Sequence, residues 1–248
     1  MHRLILTLIF FVSFMRAEDA HKKTISADVK PPGLPIVDPG KRTVTKISTP
    51  QATALVDTQD VPDLKDWGEK AGRLCVDWFP KIAAQLPSDG FVSPTMVTLY
   101  FDPKMKGVAH AVRDRITISA DFVRAHPDDF GMVIHELTHV VQSYPAGGPG
   151  WLVEGIADYI RIVHFEPGAP RPKLTRLASY KDAYKTAAMF LEWIETHHKK
   201  GLVKELNARL RLGKYGDECW TELTGKSVDA LWSEFVSQEI ASENKADP

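Results

Sequence analysis

Residues 135–160 read HELTHVVQSYPAGGPGWLVEGIADYI. Two histidines and a glutamate open the stretch, and Glu154 and Asp158 close it after a Gly- and Pro-rich turn. Met132, Val133, Leu137, Val140 and Val141 recur at helical spacing around the first part, and Tyr144-Pro145 stops it. Upstream, His126-Pro127-Asp128-Asp129 suits a helix start, with Pro in the first turn and acids at the positive end of the dipole. A second helix enters at Pro149-Gly150, with Trp151, Leu152, Ile156 and Ala157 on its apolar side. The stretch therefore predicts two helices joined by a turn.

His135 and His139 are one turn apart on the first helix. That spacing separates them by roughly 6 Å and lets two imidazoles meet one ion. Glu136 lies about 100° around the helix, placed to address a water rather than to share the ion. This is the geometry of H-E-x-x-H, two zinc ligands and a general base. A catalytic zinc needs a third protein ligand and an open position. Glu154 can supply it after fourteen intervening residues (140–153), with Asp158 the other carboxylate to choose from; with Glu154 as ligand, Asp158, one turn later, can accept the far N–H of a ligating histidine. The longer pattern H-E-x-x-H-x-x-G-x-x-H is not met, because Gln142 stands at the Gly place and Pro145 at the last His place.

The competing reading puts His135, His139, Glu154 and Asp158 on two surface helices facing solvent. It leaves unexplained why Trp151, Leu152, Ile156 and Ala157 would bury the helix that carries two of those acids. The metal reading predicts one Zn2+ per chain.

The rest of the chain supplies the setting. With 248 residues, 44% hydrophobic, it can bury a core without a disulfide scaffold. Met1–Arg3, the apolar run Leu4–Phe14 and the small Ala17 at a possible cut site predict a signal peptide over 1–17, with cleavage after Ala20 as an alternative. The run falls short of the roughly 20 apolar residues of a spanning helix, so no stable membrane anchor is expected after cleavage, and the protein is expected to be secreted or periplasmic. Removing Arg3 and Arg16 takes the net charge from -1 to -3, which offers nothing for nucleic acid. Residues 18–51 are poor in large apolar side chains and read as a flexible leader or linker, or a removable pro-segment. Cys75 and Cys219 are either a disulfide or two buried thiols.

Strands are expected at 52–56, 94–102 and 107–119, the last as a hairpin around Arg113-Asp114 or a single strand. Helices are expected at 62–86, 180–198, 201–212 and 228–240, the last capped by Ser227. Strands first and then mostly helices predict an α+β domain over 52–241, followed by a frayed tail at 242–248. The stretch TGKS at 224–227 lacks the earlier Gly of a phosphate loop, Trp220 standing there, and G-x-S-x-G is absent.

HELTHVVQSY, WLVEGIADYIR and AYKTAAMFLEW together resemble the basic secretory protein family, also described as the peptidases of plants and bacteria. The resemblance runs from about Ala52 to Phe235. WLVEGIADY is also similar to the glutamate-bearing helix of the gluzincin zinc peptidases. The resemblance implies a zincin-like metallopeptidase domain, a small mixed or antiparallel sheet followed by a helical half. It implies His135, His139 and Glu154 as ligands, Glu136 as base and Asp158 as orienting carboxylate. The chain departs from that pattern in being near neutral and in a shorter interval before Glu154.

The expected reaction is hydrolysis of peptide or protein substrates by a zinc-activated water, Glu136 moving the proton. Tyr184 is a candidate donor to the oxyanion, or else a tyrosine packed on the helices. His110, His126 and His164 are weaker polar candidates. The strand within 108–119 offers an edge for an extended peptide. The alternative is an exported zinc-containing binding or defence protein with little turnover. Glu136 favours the enzyme, since a structural site needs no base and closes with a fourth ligand.

Overall fold

In two strands of this chain every second side chain is large and apolar, and those residues face one layer. Val97, Leu99 and Phe101 of one strand and Ile116 and Ile118 of another are fully buried. The computed structural model describes residues 42–182 and 184–246. Its five strands are β1 (Thr45–Ser48), β2 (Thr53–Asp57), β3 (Met96–Asp102), β4 (Ala109–Val112) and β5 (Arg115–Ser119). They form one sheet in the order β1-β2-β3-β5-β4. β2, β3 and β5 are parallel, while β1 and β4 run antiparallel at the two edges. Of the two readings of 107–119, the hairpin holds: β4 and β5 pair with Val112 opposite Arg115 and Arg113 at positive φ (57°) in the turn.

Among the described residues eight α-helices follow or intervene: α1 (Lys65–Gln85), α2 (Ala120–Ala125), α3 (Gly131–Gln142), α4 (Gly150–Tyr159), α5 (Tyr184–His197), α6 (Leu202–Arg211), α7 (Glu218–Thr224) and α8 (Val228–Ala246). The domain is thus α+β, as the order of elements predicts. None of the described helices is long and apolar enough to cross a membrane.

α1 connects β2 to β3 and lies on the sheet through a face that includes two glycines. A Cβ at Gly72 would sit 2.7 Å from Val56 Cγ2 and 2.8 Å from Ile47 Cδ1, so only a bare backbone lets α1 approach β1 and β2 this closely. Ala71, Cys75, Phe79 and Ile82 complete that face. α3 packs beside α1 and against β4 and β5. Trp67 of α1 stacks on Phe130 at 4.7 Å and donates its indole N–H to the Pro127 carbonyl, fixing the entry to α3. α4 packs most extensively on α5, and the far side of that pair holds an aromatic cluster of Tyr180, Phe190, Trp193, Trp220, Trp232 and Phe235.

Several boundaries differ from expectation. Residues 45–48, read as part of a flexible leader, are the edge strand β1; its side chains alternate between partly covered and exposed, so it carries no buried apolar signal. The helix expected from His126 begins at Gly131, after the short α2, and the Asp129 carboxylate, just ahead of it, accepts from the Met132 N–H of its first turn at 3.2 Å. α7 has seven residues and no periodic pattern to announce it. α8 starts behind Ser227, whose hydroxyl accepts from the Ala230 N–H, and runs to Ala246 over positions read as a frayed tail. Cys75 and Cys219 are buried free thiols, which decides against the disulfide. The expected signal peptide over 1–17 lies outside the described residues.

Candidate metal centre

α3 is buried on nearly every side, including its polar positions: His135 is 7% and Glu136 8% exposed. Burying two polar groups on an otherwise apolar helix is costly unless each finds a partner. α4 brings those partners. It crosses α3 so that Glu154 and Asp158, one turn apart, face His135 and His139.

His135 Nε2 and Glu154 Oε2 are 3.1 Å apart, the two histidine Nε2 atoms 3.1 Å, and His139 Nε2 and Glu154 Oε2 3.4 Å. The other ring nitrogens are committed elsewhere. His135 Nδ1 lies 2.7 Å from Asp158 Oδ1, and His139 Nδ1 lies 2.7 Å from Gln142 Oε1. A carboxylate and an amide oxygen only accept, so both Nδ1 atoms carry hydrogen. Both Nε2 atoms therefore present lone pairs to each other and to the Glu154 carboxylate.

Three electron-pair donors facing inward are held together only by a proton or a cation. Zinc bonds of roughly 2.0–2.2 Å at tetrahedral angles would place neighbouring ligand atoms about 3.3–3.6 Å apart. The observed triangle is that size or a few tenths of an ångström tighter, and these three residues are the group among the described residues able to hold a metal ion. Two imidazoles and one carboxylate make a donor set compatible with zinc.

The charges respond accordingly. Burial alone would lower the His135 pKa, but hydrogen bonds to Asp158 and Glu154 outweigh it and raise it to about 10, so a proton fills the triangle when no cation does. Burial raises the Glu154 carboxyl, yet its polar contacts with the rings of His135 and His139 hold it well below the usual carboxylate range. For Glu136 burial dominates and raises its pKa against the opposing pull of His135 and His139. A buried carboxylate beside the triangle, hydrogen-bonded to none of its members, is suited to exchange a proton.

Tyr184, the first residue of α5, has its ring 5.9 Å from that of His135. It is 55% exposed, so a substrate can reach it. Partial burial and the nearby Glu154, Glu136 and Asp158 all raise its phenol pKa, keeping it a donor at neutral pH. His110 on β4 is close enough to Glu136 to act on its charge. His126 and His164 instead pack on Phe122 and Tyr159. A cleft lined by Pro94, Arg113, Asp114, Tyr144 and Pro145 opens beside His139.

The family model described as BSP, peptidase of plants and bacteria, matches residues 82–235. The chain belongs to this family. The BSP match covers the end of α1, β3 to β5 and α2 to α7, and reaches Phe235 of α8, so the whole donor triangle lies within it. It begins thirty residues after the Ala52 from which the resemblance was read, and β1 and β2 stand outside it. Among curated proteins no significant match is found. The BSP description points to peptidase activity.

The residues singled out from the sequence, His135, Glu136, His139, Glu154, Asp158 and Tyr184, lie near one another in the fold. Sequence reasoning missed Gln142 as a partner of His139, although a polar residue three positions on shares the face of that histidine.

Proposed function

We propose that the chain is a zinc-dependent metallopeptidase with a zincin-like fold, exported behind the signal peptide at 1–17. His135, His139 and Glu154 hold one zinc ion, Asp158 orients His135, and Glu136 is the general base. The observation that carries the reading is the triangle of inward-facing donors at 3.1–3.4 Å, with both histidine Nδ1 atoms tied to acceptors.

When bound, zinc supplies Lewis acidity, polarising a carbonyl and bringing the pKa of its water to roughly 7. This chain's residues do the rest. β4 is an edge strand, paired only to β5, and its outer backbone groups can align an extended peptide in the manner of an added strand. Glu136 accepts the proton of the attacking water and returns it to the leaving amine. Burial raises the affinity of Glu136 for that proton, which suits it to both halves of the transfer. Tyr184 donates its O–H to the oxygen of the scissile carbonyl as negative charge develops there.

The test is zinc content and cleavage of a quenched mixed-peptide substrate, for wild type and Glu136→Gln. About one zinc in both proteins, with turnover reduced about 10²–10⁴-fold in the variant, supports the assignment. Zinc in both with no cleavage of any peptide favours a zinc-containing binding protein. No zinc in either removes the metal centre.

A further inference from the structure

We infer that Gln142 is a positioning residue of the metal centre, setting the tautomer of His139 and tying it to the segment that carries Glu154. The inference rests on the zinc reading above. It starts from a side chain that is 2% exposed and lies between the His139 ring, the Val153 carbonyl and the Tyr144 hydroxyl, the first two of fixed character. Gln142 Nε2 donates to the Val153 carbonyl at 2.9 Å, and Oε1 lies 2.7 Å from His139 Nδ1.

The orientation of this amide follows from chemistry. The Val153 carbonyl only accepts, so the nitrogen of the amide must face it. That leaves Oε1 toward His139, and an oxygen acceptor there requires Nδ1 to carry the hydrogen. The Nε2 lone pair is then free and directed at His135 and Glu154. A backbone carbonyl on α4 thus decides, through one amide, which nitrogen of a histidine on α3 is available to a cation.

The same amide links two ligands mechanically. Val153 directly precedes Glu154, so the bond to its carbonyl fixes the α4 backbone where the third ligand departs. His135 is served differently, by the Asp158 carboxylate at 2.7 Å. The two histidines therefore have unlike partners, a charged acceptor for His135 and a neutral one for His139. Partners of this kind are typically worth 10–100-fold in metal affinity.

The test is the zinc dissociation constant of the full-length protein, by competition with a chromophoric chelator, for wild type and Gln142→Met. Met nearly matches Gln in volume and removes both hydrogen bonds. The melting temperature of the metal-free proteins is read in parallel. The expected result is zinc bound 10–100-fold more weakly at 25 °C by a variant that is still folded. If Gln142→Met does not fold, Gln142→Asn, too short to reach both partners, is expected to show the same loss. A variant that is folded and binds zinc within twofold of wild type overturns the inference while leaving the metal centre standing. A wild type that binds no zinc overturns both.

Discussion

His135 and Asp158 are joined across two helices by a 2.7 Å contact between Nδ1 and Oδ1, with both residues buried. Asp158 accepts the Nδ1 hydrogen and leaves Nε2 to face Glu154 and His139. Replacing Asp158 by Asn keeps the shape and removes the charge. We expect Asp158→Asn to weaken zinc binding 10–100-fold. At a fixed zinc concentration well above both dissociation constants, that change removes about 1.4–2.7 kcal/mol of zinc-induced stabilisation. Thermal melting with and without zinc measures it, and an equal zinc-induced shift in both proteins would remove Asp158 from the centre.

Tyr184 can be separated from the metal ligands by substitution. Its ring stands beside His135, and it is not among the three residues whose donor atoms could hold the metal ion. Tyr184→Phe should therefore leave zinc content and melting temperature unchanged. Loss of one oxyanion donor is expected to reduce kcat about 10²-fold. Unchanged turnover in a folded, zinc-containing variant would return Tyr184 to the role of a packing residue.

Gly155 sits between Glu154 and the turn that carries Asp158, where α4 and α5 come closest. A Cβ there would lie 2.8 Å from Ala187 Cβ and 3.5 Å from Leu191 Cδ1. Gly155→Ala gains about 1 kcal/mol in helix propensity but forces two packed helices apart, which costs about 1–3 kcal/mol. The balance is a net destabilisation of about 1 kcal/mol, read by urea denaturation, with weaker zinc binding because Glu154 moves with its neighbour. A more stable variant would show that the helices yield freely.

The centre was legible in the sequence because its members are close along the chain and helical spacing turns sequence offset into direction. His135 and His139 differ by one turn, as do Glu154 and Asp158, and the apolar residues around them set which way each pair faces. The sheet was legible where strands have a buried face, as in β3 and β5. β1 was missed because TKIS has no fully buried position, and α7 because seven residues hold less than two full periods of a helix. Asn207 and Arg211 were missed for another reason. Each is one polar residue on an otherwise ordinary amphipathic helix, and its partners lie far away in sequence, so nothing local distinguishes it from a solvated side chain.

Arg211 shows what such a residue does. Its guanidinium is buried at 6% exposure and donates to the carbonyls of Gln142 (3.2 Å), Val141 (3.0 Å) and Leu86 (2.8 Å) and to Ser88 Oγ (2.8 Å), stacked on Phe91 at 3.7 Å. Val141 and Gln142 end α3, so the cation satisfies carbonyls that the helix leaves open and meets the negative end of its dipole, one turn from His139. Asn207, one turn earlier on α6, adds a bond to the Pro87 carbonyl and accepts from Tyr144, so α6 fastens the end of α3 to the loop after α1. Arg211→Met strands several buried acceptors at about 1–3 kcal/mol each, so a loss of about 3 kcal/mol or more is expected by urea denaturation. Arg211→Lys should recover little of it, because one ammonium cannot span carbonyls from two segments as the planar fork does. If Arg211→Lys matched wild type in stability, the charge at the helix end would be sufficient and the fork geometry would carry no weight.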